Sequence, residues 1–307
     1  MSIPLSDNMR GAVFMSISMA AFVVNDTAMK LVAEHLSVFQ AMFLRGIMTS
    51  LMLAAFCHYK GVLIFRVPKG DRLLVILRLI GEVGGAAFYL TALFHMPLAN
   101  ATAILQSLPL AVTLAGAIFL REPVGWRRYL AISAGFIGVL MIVRPGTEGF
   151  NEYSIYAVIS VSFIVMRDLA TRRLSVAIPT LFVTFLTSCS VMTVGAVLSA
   201  FAEWKPITVD GISLLVLAAL FVMVGYQCSI TAMRAGDLSF TSPFRYTILI
   251  WAIILGIIVF GEFPNIWMIL GSIIIVGSGV YTFYRERYLI RKMRREQMLK
   301  AGEALKT

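Results

Sequence analysis

The chain of 307 residues is 59% hydrophobic and only 14% charged, with a mean hydropathy of +0.88, more apolar surface than a water-soluble fold of this size buries. That excludes a separate nucleotide-binding domain and leaves a chain built of membrane-spanning helices of about 20 residues each. The formal net charge of +10 does not point to nucleic acid: eight basic and three acidic residues follow Tyr284, so half of the excess is one tail, read as an anchor beside anionic lipid.

From the N-terminus, apolar runs at 10–33, 38–57, 73–94, 99–120, 128–144, 153–171, 178–201, 212–233, 239–260 and 265–284 predict ten spans. The first follows Asp7 and Arg10 rather than a basic leader and flows into Asn25-Asp26, so it reads as a retained helix. The breaks carry helix-stop chemistry, as in Pro68-Lys69-Gly70, Pro97, Arg144-Pro145-Gly146, Lys205-Pro206 and Gly261-Glu262-Phe263-Pro264. With the N-terminus in the cytoplasm, Lys60, Arg66, Lys69, Arg72, Arg121, Arg127, Arg128, Arg172, Arg173, Arg234 and the tail all fall on the cytoplasmic side. The other side receives little beyond Arg144 and Lys205. This asymmetry is the positive-inside pattern and puts both termini in the cytoplasm.

Two stretches echo each other at a constant spacing of 140 residues: Thr91–Glu122 and Thr231–Glu262. Thr91 falls on Thr231, Leu98 on Leu238, Gly116 on Gly256 and Glu122 on Glu262. Ten spans with this repeat give five per half, and an odd number forces the second half to insert upside down. The expected fold is therefore all-α and integral to the membrane: ten transmembrane helices as two inverted five-helix repeats around a central cavity. The units are 1–145, 146–284 and a basic cytoplasmic tail, 285–307. At a spacing of 142, Asp26 falls on Asp168.

Ionisable groups inside spans cost about 2.5–3.5 kcal/mol each and mark bundle interiors or solute paths. They are Asp26, Arg45, Arg78, Glu82, Arg167, Asp168 and Arg245. Arg78 and Glu82 are four apart on one face, the spacing of a mutually neutralising pair, and Lys30 is placed to snorkel outwards and leave Asp26 partly free. Arg167-Asp168 fits either a solvated lip or a gate. Arg45 and Arg245 have no acid three or four residues away and need a partner from another helix or an anionic or electron-rich solute.

Tyr89, Gln106, Tyr226, Gln227 and Tyr246 add stacking and hydrogen-bonding groups suited to a planar heteroaromatic solute, and equally to helix packing. The expected substrate pathway is Asn25, Asp26, Arg45, Glu82, Tyr89, Gln106, Asp168, Tyr226, Gln227, Arg245 and Tyr246. Pro109 and Pro243 are placed to break their helices towards the cavity.

Gly135, Gly138, Gly271, Gly277 and Gly279 fit close helix packing or a homodimer face. Cys57, Cys189 and Cys228 read as packing residues, and no catalytic, metal or cofactor-binding signature emerges.

Asn25-Asp26, Phe43-x-Arg45, Pro109, the Glu122–Trp126 turn, GFIGVLMIVRP at Gly135–Pro145, SPFRYTILIW at Ser242–Trp251 and FGEFP at Phe260–Pro264 resemble the EamA branch of the drug/metabolite transporter superfamily. Within it they resemble bacterial importers of S-adenosylmethionine and of riboflavin. The resemblance covers the whole chain and implies ten helices in inverted repeats, an inner-membrane location, no bound cofactor, and a cavity lined mainly by helices one, three, four, six, eight and nine. The expected activity is secondary transport, with riboflavin uptake preferred on the tyrosine, glutamine and arginine set. S-adenosylmethionine uptake and amino-acid or drug efflux stand beside it, and an intramembrane lipid-modifying enzyme is the alternative of another class.

Overall fold

The structure is a computed structural model that describes residues 7–62, 68–121, 124–147, 150–175, 178–235 and 238–304. Its helices are α1 (Asp7–Val32), α2 (Val38–Tyr59), α3 (Arg72–His95), α4 (Leu98–Leu105), α5 (Leu108–Phe119), α6 (Trp126–Val143), α7 (Tyr153–Arg173), α8 (Thr180–Ser199), α9 (Val209–Ala235), α10 (Leu238–Thr241), α11 (Thr247–Phe260) and α12 (Ile266–Ala304). Among the described residues, ten stretches are long and apolar enough to cross a bilayer, in the order expected. Span four is α4 plus α5, and span nine is a 3-10 turn over Ser242–Tyr246 plus α11. Arg66, Glu122, the Arg234 side chain and nearly all side chains of the tail lie outside the described residues.

Both breaks fall where the repeat places them. Gln106 and Tyr246, 140 residues apart, have nearly the same backbone, φ −70 and ψ −6 against φ −72 and ψ −10. Pro109 and Pro243 flank these breaks without being equivalent to one another: Pro109 opens α5, and Pro243 sits in the 3-10 turn. Beyond each broken span the chain turns left-handed, at Arg121 (φ 55) and at Gly261 (φ 65), again 140 apart.

Four antiparallel helix pairs make the bundle: α1 with α9, α3 with α7, α2 with α8, and α6 with α12. Their direction follows from contacts that run in opposite sense along the two chains. Asp71 meets Ser175, and Gly85 meets Ser160, along α3 and α7. Ser18 meets Gly225 and His35 meets Thr208 along α1 and α9. Exchanging spans one and six, and three and eight, carries the first pair onto the second, while the other two pairs map onto themselves. The halves are thus inverted copies that interlock rather than sit side by side.

Close approach needs residues without a side chain. A Cβ on Gly138 would lie 2.8 Å from the Gly271 carbonyl, and one on Gly271 would lie 2.6 Å from the Gly138 carbonyl. A Cβ on Gly46 would lie 2.8 Å from the Met192 backbone, one on Gly81 2.7 Å from the Phe163 carbonyl and one on Gly195 2.8 Å from the Phe43 nitrogen. In lipid, where hydrophobic transfer does not drive helices together, this dispersion contact holds pairs closed. Thr49 and Ser50 both hydrogen-bond Ser188 at 2.8 and 2.9 Å, adding polar ties across α2 and α8.

Candidate functional site

With ten alternating spans, the start of α1 and the end of α12 share one end of the bundle, the termini end; the opposite end is the far end. A cavity of about 520 Å³ lies between α2, α3, α8 and α9 and reaches Phe56, Lys60 and Val62 at the termini end. Arg45, Glu82, Tyr226 and Gln227 line it, together with the hydroxyls of Thr49 and Ser188. Spans two, three, seven and eight wall this chamber, a set that shares only spans three and eight with the one implied by the resemblance. Small hydroxyl residues along the α2–α8 seam leave the room.

Behind Arg45 stands a polar cluster. Arg45 Nη1 donates to Asn25 Oδ1 at 3.1 Å, Asn25 Nδ2 donates to Asp26 Oδ1 at 2.8 Å, and Tyr89 Oη donates to Asp26 Oδ2 at 2.7 Å. Asp26 is thereby occupied on both oxygens. Arg45 reaches it only through Asn25, leaving much of the guanidinium turned to the cavity. The partner that Arg45 required from another helix is thus an amide on α1.

Behind Glu82 is a second cluster. Arg167 Nη1 lies 3.3 Å from Glu82 Oε2, and its Nε and Nη2 both lie 2.8 Å from Asp168 Oδ1. The expected Arg78–Glu82 pair does not form. Glu82 pairs with Arg167 across α3 and α7, and Arg78 donates to the Thr171 hydroxyl instead. The antiparallel crossing brings α7 closer to these side chains than their own neighbours one turn away. Arg167 and Asp168 therefore face α3 rather than forming a solvated lip. Arg245, at the break of span nine, is exposed.

Of the eleven expected residues only Arg45, Glu82, Tyr226 and Gln227 line the chamber; Asn25, Asp26, Tyr89 and Asp168 stand behind it, and Arg245, Gln106 and Tyr246 lie apart. Tyr246 is 5% exposed and its ring packs against Gly279 of α12. Gln106 ends α4 with its backbone N–H turned to the Thr102 and Ala103 carbonyls. Both hold the broken spans in shape.

The far end holds a contact that the residue pattern did not reveal. Lys30 Nζ pairs with Glu262 Oε1, donates to the Met96 carbonyl at 2.7 Å and lies 4.7 Å from the centre of the Phe260 ring. Glu262 Oε2 accepts the Leu98 N–H at 2.9 Å. One ion pair thus ties α1 to the corner between α3 and α4 and to the corner after α11. Lys30 does not snorkel outwards as expected, because it has an acid within reach. The side chains are 11% and 23% exposed, so water screens the pair little. Thr49 and Ser188 were likewise missed, since hydroxyls inside apolar runs carry no distinguishing signal.

Among the described residues, no cluster of His, Cys, Asp and Glu is arranged to hold a metal. Besides the chamber, an apolar crevice of about 700 Å³ runs between α3, α5, α6 and α7, with Arg173 as its one charged residue.

The EamA-like transporter family matches the chain twice, at residues 9–144 and 153–284. An S-adenosylmethionine uptake transporter of Rickettsia bellii is 26% identical over 277 residues, covering 90% of this chain and 94% of its own. A riboflavin transporter of Vibrio cholerae is 31% identical over 225 residues, covering 72% of this chain and 74% of its own. A solved crystal structure superposes with a TM-score of 0.62 at 19% identity, covering 90% of this chain and 98% of that one, a likeness of fold alone.

Proposed function

The chain belongs to the EamA-like transporter family, and from that premise we propose that it takes up a small organic metabolite carrying an amino-acid head, S-adenosylmethionine being the best fit, across a bacterial inner membrane. Both termini lie in the cytoplasm in this reading, as the charge bias of the breaks supports. The chamber then opens to the cytoplasm, and the Lys30–Glu262 contact closes the outer side. Alternating access follows when the interlocked halves rock about the pseudo-two-fold axis.

The single observation carrying the solute class is that one chamber presents a guanidinium, Arg45, and a carboxylate, Glu82, together with Tyr226 and Gln227. A zwitterion matches that polarity: its carboxylate takes the free N–H groups of Arg45 in a charge-assisted pair, and its ammonium faces Glu82. The Tyr226 ring offers a face to the sulfonium or the nucleobase. Riboflavin is the second reading, favoured by the 31% identity to a riboflavin transporter and by the amide and phenol groups of Gln227 and Tyr226.

Counterflow in proteoliposomes loaded with one solute and assayed with either radiolabelled S-adenosylmethionine or radiolabelled riboflavin separates the two. Exchange of S-adenosylmethionine abolished by Arg45→Gln is the expected result. Exchange of riboflavin alone transfers the assignment to the second reading, and exchange of neither removes both solutes.

A further inference from the structure

A groove of about 620 Å³ runs down the outer face of the α6–α12 seam in its termini-end half. Its floor is Ala131, Ala134 and Gly277, its walls are Leu130 and Ile274, and Trp126, Arg127 and Tyr281 stand at its end. The glycines of this seam are not alike. Gly138, Gly271 and Gly279 are required by internal contact, since a Cβ on any of them would strike α6, α12 or the Tyr246 ring. A Cβ on Gly277 meets nothing within 4 Å, so no internal contact accounts for the missing side chain. Glycine there deepens a groove that opens outwards.

We infer that this groove is a binding site for an anionic phospholipid. One acyl chain lies along Gly277, Ala134 and Ile274, and the phosphate sits on Arg127, whose guanidinium stacks 5.3 Å from the exposed Trp126 ring. Charge selects the occupant. Arg285 is one helical turn beyond Tyr281 on the same face of α12, its guanidinium 5.1 Å from the centre of the Tyr288 ring, so a second cation lies past the groove end, and the sequence beyond is rich in Arg and Lys. A second copy seated here by a two-fold axis along the membrane normal sets the same arginines at the same depth on both chains, face to face. An anionic head removes that repulsion, and the Trp126 and Tyr281 rings occupy the headgroup level where such rings partition.

The test uses the full chain purified in neutral detergent and titrated with dioleoylphosphatidylglycerol or dioleoylphosphatidylcholine. Bound lipid is counted by native mass spectrometry and thermal unfolding is followed in parallel. Phosphatidylglycerol is expected to bind at concentrations about tenfold lower than phosphatidylcholine and to raise the unfolding midpoint. Gly277→Leu, which fills the groove, and Arg127→Gln, which removes its charge, are each expected to cut that preference by about tenfold, the loss of one charge-assisted contact. Gly277→Leu points into open space and keeps its midpoint in lipid-free detergent; should it fail to fold, Arg127→Gln decides alone. Equal binding of the two lipids overturns the inference, as does an undiminished preference in Arg127→Gln. A dimer that Gly277→Leu dissolves, with no lipid preference in the parent, gives the groove to a second copy and overturns it equally.

Discussion

Arg45 is costly to keep in a membrane interior and hydrogen-bonds one amide, which leaves it able to meet the solute carboxylate that the proposed function assigns to it. Arg45→Gln removes the charge and, being two bonds shorter, the reach of Nη1 to Asn25, and a charge-assisted hydrogen bond is worth about 1.5–3 kcal/mol. We expect the apparent KM for solute to rise about ten- to hundredfold with little change in the unfolding midpoint, read by uptake and thermal unfolding on one preparation. Arg45→Lys, lacking the planar fork, recovers only part of the loss. The glycines give a second comparison at this scale. Gly279→Ala forces the Tyr246 ring aside and is expected to destabilise by about 1–3 kcal/mol, whereas Gly277→Ala leaves the midpoint unchanged. Sequence could name these glycines as packing residues but not separate them, because which side of α12 meets the chain and which meets lipid is decided by α6.

At the scale of the helix, the inverted halves use different residues for the same backbone. Where Gly261 takes the left-handed turn after α11, Arg121 takes it after α5 at φ 55, a region costly for a residue with a Cβ. Arg121→Gly is therefore expected to raise the unfolding midpoint by about 1–3 °C, and Gly261→Ala to lower it by a similar amount, measured side by side. Spans and breaks were readable because apolar length and Pro-Gly punctuation are local properties. The ion pairs were less so: Glu82 was matched to Arg78 on its own helix, while the structure pairs it with Arg167 on another. Spacing reports neighbours along one helix and says nothing of which helix crosses it. The repeat, in contrast, is a long-range signal written in sequence: the prolines flagged that spans four and nine break, and the structure sets the two breaks at Gln106 and Tyr246, 140 residues apart.

In the whole molecule, the Lys30–Glu262 contact ties the far end while the chamber reaches the other, and in the proposed function the first is the closed gate. Removing either charge favours the state in which the far end parts. Lys30→Met and Glu262→Gln are each expected to shift the equilibrium by about 1–3 kcal/mol towards that state. The shift is read as faster modification of a cysteine placed at Thr102 by a membrane-impermeant maleimide added from outside. The double exchange Lys30→Glu with Glu262→Lys restores slow labelling if the pair itself is the lock, and leaves it fast if the individual side chains matter for other reasons.

The pairing of α1 with α9 also sets an order of events during synthesis. Roughly 180 residues separate the end of the first helix from the start of its main partner, so at ~5–20 residues per second a ribosome needs on the order of 10–40 s to deliver it. Throughout that interval Lys30 is in the bilayer before Glu262 exists. The Met96 carbonyl, only two further helices along the chain, is the earlier acceptor for its amine and can hold the first helix at the correct depth until the second half arrives.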